Sequence, residues 1–502
     1  MIGVGDWLYE RSQICSERVA IVYKERRLTY EELNNRTNRL ANGLRQLGVR
    51  KGDRVAAMLT NGNEIIEGLF ACAKVGAVFL PINSRLSTGE VGLIFCDGAS
   101  PKVVIYSERF SELIEQVCSR IPVRHRIQVG GRAQGMEYET FLTAHSGVEP
   151  QGEIDEEEVH LIIYTSGSTG SPKGVMLTHS NTYWNIRQVL NAEPLFGTDT
   201  TLTVAPLFHI AAMTILTLPL LYIGGTVVIH EKFDPVEVLR TIIREKVTCI
   251  FMVPAMWRSV IQLTDSNLYD LSSVRFGVSA GAPCPIYILK YFQARGLQLI
   301  QALGMTEVAP IAILEARDAE RKIGSVGKPA SYTRIRIVSN DYREVSGGGI
   351  GELAVRSPSV MKGYCVSPET VQETFQDGWF YTGDLVRIDE EGYIYVAGRK
   401  KDMIISGGEN VYPAEVEQVL YSHPQIKEVA VIGVPDDKWG ESVKAVIALK
   451  DSTCRMTIED IRAFCEGKIA NYKIPRSFDV VDALPRNSMG KPLKNVFKGI
   501  GS

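Results

Sequence analysis

The sequence predicts an α/β protein of several domains: a large N-terminal domain of parallel α/β sheets with a small β-barrel-like subdomain, then a small α+β C-terminal domain. Three observations carry this. The 502 residues are too many for one compact core. Apolar runs of strand length alternate with helical patterns through most of the chain, as in parallel sheets covered by helices. From Gly327 the texture changes to short strands punctuated by glycine, and it changes again beyond Lys400.

Taken in order, Thr29 and Glu32 form a capping box. Leu33, Leu40, Leu44 and Leu47 follow on one helical face. Arg54 to Leu59 reads as a strand, Asn63 to Val75 as a helix, Val78 to Leu80 as a strand ended by Pro81, and Val103 to Tyr106 as another strand. Gly130 to Glu158 is polar and glycine-bearing and reads as surface loop. Leu161-Ile162-Ile163 reads as a buried strand, and Thr201 to Val204 as the next.

The uncharged stretch Ile210 to Ile229 is long enough to span a bilayer. Pro219 and Gly224-Gly225 interrupt it, which favours a buried helix followed by a buried strand. Asp234 caps a helix to Lys246 with Pro235 at its first position. Strand Thr248 to Val253, a helix from Ala255, strand Val274 to Val278, a helix from Pro285 to Ala294 and strand Leu297 to Ala302 complete the series. Because these strands run in one sense, the loops bearing His209, Gly281 and Glu307 gather at their carboxyl edge, where open α/β sheets bind ligands.

From Gly327, Ile335 to Val338 and Gly351 to Val355 suggest an antiparallel, barrel-like subdomain that closes with Tyr381 to Asp384 and Tyr393 to Val396. The charged segment Gly398 to Asp402 suits a linker, dividing the chain into residues 1–400 and 401–502.

Composition narrows the function classes. A net charge of −3 and a pI near 6.2 leave no basic footprint for nucleic acid. The nine dispersed cysteines form no CxxC or Cys/His cluster, which argues against zinc and for reduced thiols in the cytoplasm. Asp6, Glu10 and Arg11 interrupt the N-terminus before any apolar signal region forms. Composition leaves open monomer or homodimer, and contact with a membrane surface.

The chemistry begins at Tyr164-Thr165-Ser166-Gly167-Ser168-Thr169-Gly170-Ser171-Pro172-Lys173-Gly174. Glycines let backbone approach a ligand closely, hydroxyls and N–H groups can wrap a polyphosphate, and Lys173 adds a positive charge. It is not a Walker A loop, since Pro172-Lys173-Gly174 replaces Gly-Lys-Ser/Thr. By composition alone it also reads as a flexible linker. Further along stand Gly281-Ala282-Pro283, Gly304-Met305-Thr306-Glu307, Tyr381-Thr382-Gly383-Asp384, Gly398-Arg399-Lys400-Lys401-Asp402, Ser406-Gly407-Gly408-Glu409, and Pro485-Arg486-Asn487-Ser488-Met489-Gly490-Lys491. Each is weak alone, and their joint order is specific.

That order resembles the acyl-adenylate-forming superfamily: acyl-CoA synthetases, adenylation domains of peptide synthetases, and beetle luciferases. The resemblance covers nearly the whole chain and lies closest to short bacterial fatty-acyl-CoA synthetases. It implies that the loop Thr165 to Lys173 holds the ATP phosphates, with Thr306 on phosphate and Glu307 on Mg²⁺. Gly281, Ala282, Pro283, Gly304 and Met305 would border the nucleotide, and Leu303 stands where many relatives carry an aromatic residue on adenine. Asp384 would bind the ribose hydroxyls with Arg399 nearby. Lys401 matches the hinge position, and Lys491 the lysine that contacts carboxylate and α-phosphate. Gly407, Gly408, Trp439, Lys473 and Arg476 match regions that bind CoA.

His209 resembles the residue at the mouth of an acyl pocket that would lie between His209, Phe251, Ser279 to Gly281 and Gly304 to Ala309, lined by Ile210, Ala211, Ala280, Gly304, Val308 and Ala309. The implied reaction is acid activation to acyl-AMP and transfer to CoA, with Mg²⁺ as cofactor. A medium- or long-chain fatty acid is the preferred substrate; an aryl or hydroxycinnamate-type acid, or a separate carrier protein as acceptor, is the alternative. Plainer readings stay open at single residues: a helix N-terminus for Glu307, a turn aspartate for Asp384, a core histidine for His209, a packing residue for Trp439, and surface charges for Arg399, Lys401 and Lys491.

Overall fold

In a computed structural model, the structure describes residues 3–131, 135–166, 172–263, 269–339, 341–345, 347–365, 374–451, 453–486 and 492–497. Four sheets organise them. The first runs from Gly363–Tyr364 through Pro172–Thr178, Val159–Ser166, Val78–Pro81, Arg54–Met58 and Val103–Ser107 to His125–Val129 and Met136–Glu137. The second has at its centre the parallel strands Gln298–Met305, Phe276–Ser279, Cys249–Met252, Thr200–Thr203 and Thr226–Ile229. An antiparallel sheet of Arg334–Val338, Gly351–Arg356, Trp379–Ile388, Phe375–Gln376 and Ile394–Arg399 forms the β subdomain. The fourth, Glu409–Val411, Ile404–Ser406, Gly440–Leu449 and Ile426–Asp436 with Ser477–Val480 alongside, carries the helices Pro413–Tyr421 and Ile458–Cys465. The fold is therefore the multi-domain α/β arrangement the sequence predicts.

Local rules account for the helices. Thr29 caps Tyr30–Gln46 in a reciprocal box with Glu32, and Leu33, Leu40 and Leu44 are buried beneath it. Asp234 accepts from the Glu237 N–H and opens Pro235–Glu245, with proline at the first position. The Ile210 to Ile229 stretch folds as short helical segments ending at Gly224, whose φ of +92° terminates Leu218–Ile223, followed by strand Thr226–Ile229. Among the described residues no helix is long and apolar enough to cross a membrane.

Two expectations are corrected. The stretch read as loop from Gly130 contains the strand Met136–Glu137 and the helix Tyr138–Thr143. Polar composition hid this helix because its buried face is only Tyr138, Phe141 and Leu142. The last parallel strand extends beyond Ala302 to Met305 and folds back as Val308–Ile313, with Met305 paired to Val308. Thr306 and Glu307 thus form the tip of a β-hairpin, and the helix-terminus reading of Glu307 falls.

At the base of the strand pair Val159–Ser166 and Pro172–Thr178, His160 and His179 stack with ring centroids 4.6 Å apart. The His160 Nε2 pairs with the Thr182 hydroxyl at 2.7 Å, and the Val4 N–H donates to His179 Nδ1 at 3.1 Å. Burial pushes His179 down to about 4 and His160 well below its ordinary range. Both are neutral in the fold, so acid protonates the unfolded chain first. Stability is full above pH 6.5, the ordinary value, and is lost as pH falls toward 4, by about 3 kcal/mol for His179 alone. Chemical denaturation at pH 7 and pH 4.5 measures this loss, and His179→Gln is expected to flatten it. An equally steep loss in the variant would refute the assignment.

Candidate active site

The strands on either side of the glycine- and hydroxyl-rich loop, Val159–Ser166 and Pro172–Thr178, pair antiparallel in the first sheet. Tyr164 pairs with Gly174, Thr165 with Lys173 and Ser166 with Pro172. The Thr165 hydroxyl donates to the Lys173 carbonyl at 3.4 Å. A Cβ at Gly174 would lie 3.0 Å from the Tyr164 ring and 3.1 Å from Ile162, so glycine is what lets the two strands and Cys365 meet there. Gly167, Ser168, Thr169 and Gly170 lie outside the described residues.

Glu307 faces this hairpin and is 8 % exposed. Its Oε1 accepts from the Tyr364 hydroxyl at 2.9 Å. The Lys173 ammonium sits 5.4 Å from the centre of the same Tyr364 ring. Burial first, then the Glu307 carboxylate, raises the Tyr364 pKa, so the phenol keeps its proton. Among the described residues no group of three or more His, Cys, Asp or Glu side chains could hold a metal by itself. A hard cation here therefore needs oxygens from elsewhere, and the Glu307 carboxylate fits a Mg²⁺ that takes its remaining oxygens from a bound ligand.

Asp384 is 5 % exposed in the strand Trp379–Ile388. It pairs in register with Arg399, whose Nε lies 2.6 Å from its Oδ1. Arg399 also donates to the Thr382 carbonyl at 3.3 Å, and the Asp384 N–H donates to the Thr382 hydroxyl at 3.0 Å. Asp384 is therefore a buried mid-strand carboxylate rather than an exposed turn aspartate, and Arg399 belongs to its pair. Lys401, in the short turn Lys400–Asp402, is exposed at the junction between the third and fourth sheets.

Ile210, Phe251, Ala280 and Val308 share the main apolar core at the carboxyl edge of the second sheet, where Met252, Ser279 and Gln301 stand in register. Gly304 and Ala309 face each other across the hairpin, where a Cβ on Gly304 would lie 3.4 Å from Ala309. Ser279 alternates to the opposite face, beside Cys284. His209 precedes the short helix Ile210–Ala212, with its ring 4.5 Å from Phe208. Burial, and to a smaller extent Arg85, lowers its pKa to about 4. Gly281, at φ +85°, turns the chain into Ala282 and Pro283 at the same edge.

In the fourth sheet Gly407 and Gly408 form the tip between Ile404–Ser406 and Glu409–Val411. A Cβ on Gly407 would meet the Trp439 ring at 2.7 Å. Arg476 lies 4.4 Å and Lys438 4.9 Å from that ring. The structure thus joins Gly407, Trp439 and Arg476 into one basic, aromatic patch, whereas Lys473 is held by Glu415 at 2.7 Å.

Sequence reasoning passed over Tyr364 and a junction of three charges. Glu428 meets Arg258 of the N-terminal domain at 2.5 Å and Arg486 at 3.0 Å, and the Leu484 N–H donates to it at 3.1 Å. Burial opposes ionisation, but the two guanidinium groups and the N–H hold its carboxyl below the ordinary range. Lys491 lies outside the described residues, while Arg486 and Pro492, which bracket it, pair across an antiparallel bridge. Arg486, inside a motif already noted, was the available sequence signal; Tyr364 shows itself only through strand pairing.

These features define an adenylate-forming ligase, and the chain belongs to the AMP-binding enzyme family, matching it over residues 8–365 and its C-terminal domain over residues 415–491. It is an ATP-dependent, AMP-forming acid–thiol ligase that uses Mg²⁺ and CoA. It is 41 % identical over 498 residues to a feruloyl-CoA synthase from an Amycolatopsis species, covering 98 % of both chains. A long-chain-fatty-acid–CoA ligase from Mycobacterium tuberculosis is 35 % identical, over 99 % of this chain and 98 % of the relative. An anthranilate CoA ligase in complex with anthranoyl-AMP superposes with a TM-score of 0.94 at 29 % identity, over 99 % of this chain and 96 % of that one. The o-succinylbenzoate CoA synthetase of Bacillus subtilis, in complex with ATP and magnesium ion, gives 0.86 at 32 % identity, over 98 % of each chain.

Proposed function

We propose that the acid is aromatic, of the aryl or hydroxycinnamate type. The observation that carries this reading is the 41 % identity, across nearly the full chain, to a feruloyl-CoA synthase. The wall formed by Ile210, Phe251, Ala280 and Val308 is uncharged and buried, and suits a flat ring. A medium- or long-chain fatty acid is the second reading, favoured by the 35 % identity to the mycobacterial ligase and by the same apolar wall.

In the first step a carboxylate oxygen attacks the α-phosphorus of ATP, the bond to the bridging oxygen breaks, and pyrophosphate leaves. Positioning and charge neutralisation carry the step. The hairpin from Thr165 to Lys173 wraps the phosphates, Asp384 accepts from the ribose hydroxyls with Arg399 orienting it, and Thr306 sits at the hairpin tip toward phosphate. Mg²⁺, held by Glu307 and phosphate oxygens, would neutralise charge on the leaving pyrophosphate. Because His209 titrates near 4, it is uncharged at neutral pH and acts by shape and hydrogen bonding. The resemblance assigns the cation that meets the carboxylate to Lys491, which lies outside the described residues. In the second step the CoA sulfur attacks the acyl carbonyl and AMP leaves. Residues 401–502 rotate about Lys401 between the steps and bring Gly407, Gly408, Trp439 and Arg476 to CoA. The protein acts in the cytoplasm.

Pyrophosphate release, followed by thioester formation with free CoA, tests the acid across hydroxycinnamates, benzoates and fatty acids. Hydroxycinnamates are expected to give the highest kcat/KM. A preference for alkyl acids would select the second reading.

A further inference from the structure

We infer that Tyr364 is a positioning residue shared by both phosphate-binding elements: its hydroxyl fixes the Glu307 carboxylate and its ring seats the Lys173 ammonium. The inference rests on the assignment of Glu307 and Lys173 to the triphosphate given above.

The segment around Tyr364 is fastened on two sides. Gly363 and Tyr364 pair with Met176 and Val175 on the strand that leaves the phosphate loop, and the Cys365 N–H donates to the Gly174 carbonyl at 2.7 Å. On the other side the Met361 N–H donates to the Glu307 carbonyl at 2.8 Å, and Val360 bridges Val308. Tyr364, 7 % exposed, therefore stands between the loop and the Glu307 hairpin and cannot shift independently of either.

Its two polar functions act in different directions. The phenol donates to Oε1 of Glu307 at 2.9 Å and, among the described residues, Oε2 takes no hydrogen bond or ion pair. A neutral donor thus orients the carboxylate without cancelling the charge a cation needs. On the other side the ring face attracts the Lys173 ammonium, 5.4 Å from its centre, through its quadrupole. That attraction takes at most one of the ammonium's three N–H bonds, so the others stay available to phosphate oxygens. Among the described residues no ion pair joins Lys173 to Glu307; the ring keeps cation and carboxylate in reach of one triphosphate without letting them neutralise each other.

Calorimetric binding of α,β-methylene-ATP to the full chain, with Mg²⁺ titrated and again in EDTA, separates the two functions. Tyr364→Phe keeps the ring and loses the hydroxyl. The Mg²⁺ concentration for half-maximal tightening is expected to rise roughly tenfold, the scale for removing a partner of a metal ligand, while affinity in EDTA is unchanged. Tyr364→Leu is expected to add a roughly threefold loss in EDTA. An unchanged Mg²⁺ dependence in Tyr364→Phe, or an equal loss with and without Mg²⁺, overturns the role of the hydroxyl. Equal EDTA affinities for the Phe and Leu variants overturn the role of the ring. Glu307→Gln is the control: were its Mg²⁺ dependence that of the parent, the assignment of Glu307 would fail and the inference with it.

Discussion

Lys491→Ala is expected to lower acyl-AMP formation by about a hundred- to a thousandfold, while thioester formation from supplied acyl-AMP and CoA stays close to that of the parent. The reason is electrostatic. When a carboxylate attacks a phosphate, two anions approach, and an aimed cation is worth most at the moment charge concentrates between them. The other candidate at the acyl side, His209, is neutral at working pH because burial holds its pKa near 4. Thioester formation has no such meeting of anions, since a thiolate adds to a carbonyl and AMP departs. Pyrophosphate exchange and a direct thioester assay read the two steps separately. Equal loss in both would remove Lys491 from the role.

Asp384→Ala is the second large effect. It removes the acceptor proposed for the ribose hydroxyls and leaves Arg399, 31 % exposed in its side chain, without its carboxylate partner at 2.6 Å. Loss of charge-assisted hydrogen bonds of about 1.5–3 kcal/mol each should weaken ATP binding by roughly a hundredfold and acid binding far less. The unpaired guanidinium lowers stability by about 3 kcal/mol, the lower end for breaking a buried pair. Calorimetry for both ligands and a thermal melt distinguish the contributions. A destabilised variant that still binds ATP with parental affinity would make the Asp384–Arg399 pair purely structural.

How far these roles could be read beforehand depended on range. The Thr29–Glu32 box, Asn63–Val75 and Pro235–Glu245 were legible because caps and periodicity act within a few residues. The gathering of His209, Gly281 and Glu307 at one sheet edge followed from strand direction alone. Tyr138–Thr143 was not legible, since its three apolar positions are too few to mark a period. The hairpin carrying Glu307 looked like a strand entering a helix, because only the pairing of Met305 with Val308 reveals the reversal. The partners of Asp384, Glu307 and Glu428 lie 15 to 170 residues away in sequence, and such distances leave no local trace. Motif resemblance supplied what periodicity could not, but it named ligand-facing residues and passed over those that hold them.

The contact between Glu428, Arg258 and Arg486 has a consequence for timing. Rotation of residues 401–502 about Lys401 would separate Arg258 from Glu428, while Arg486 would travel with the carboxylate and keep it partnered. Under the proposed rotation the moving segment would carry its compensation along, and the cost of separation would fall on the stationary arginine alone. Each 1.4 kcal/mol in that difference changes the ratio of the two arrangements tenfold. Under the same proposed rotation, ionic strength, which screens an exposed guanidinium and spares a buried pair, would shift the balance between the two arrangements.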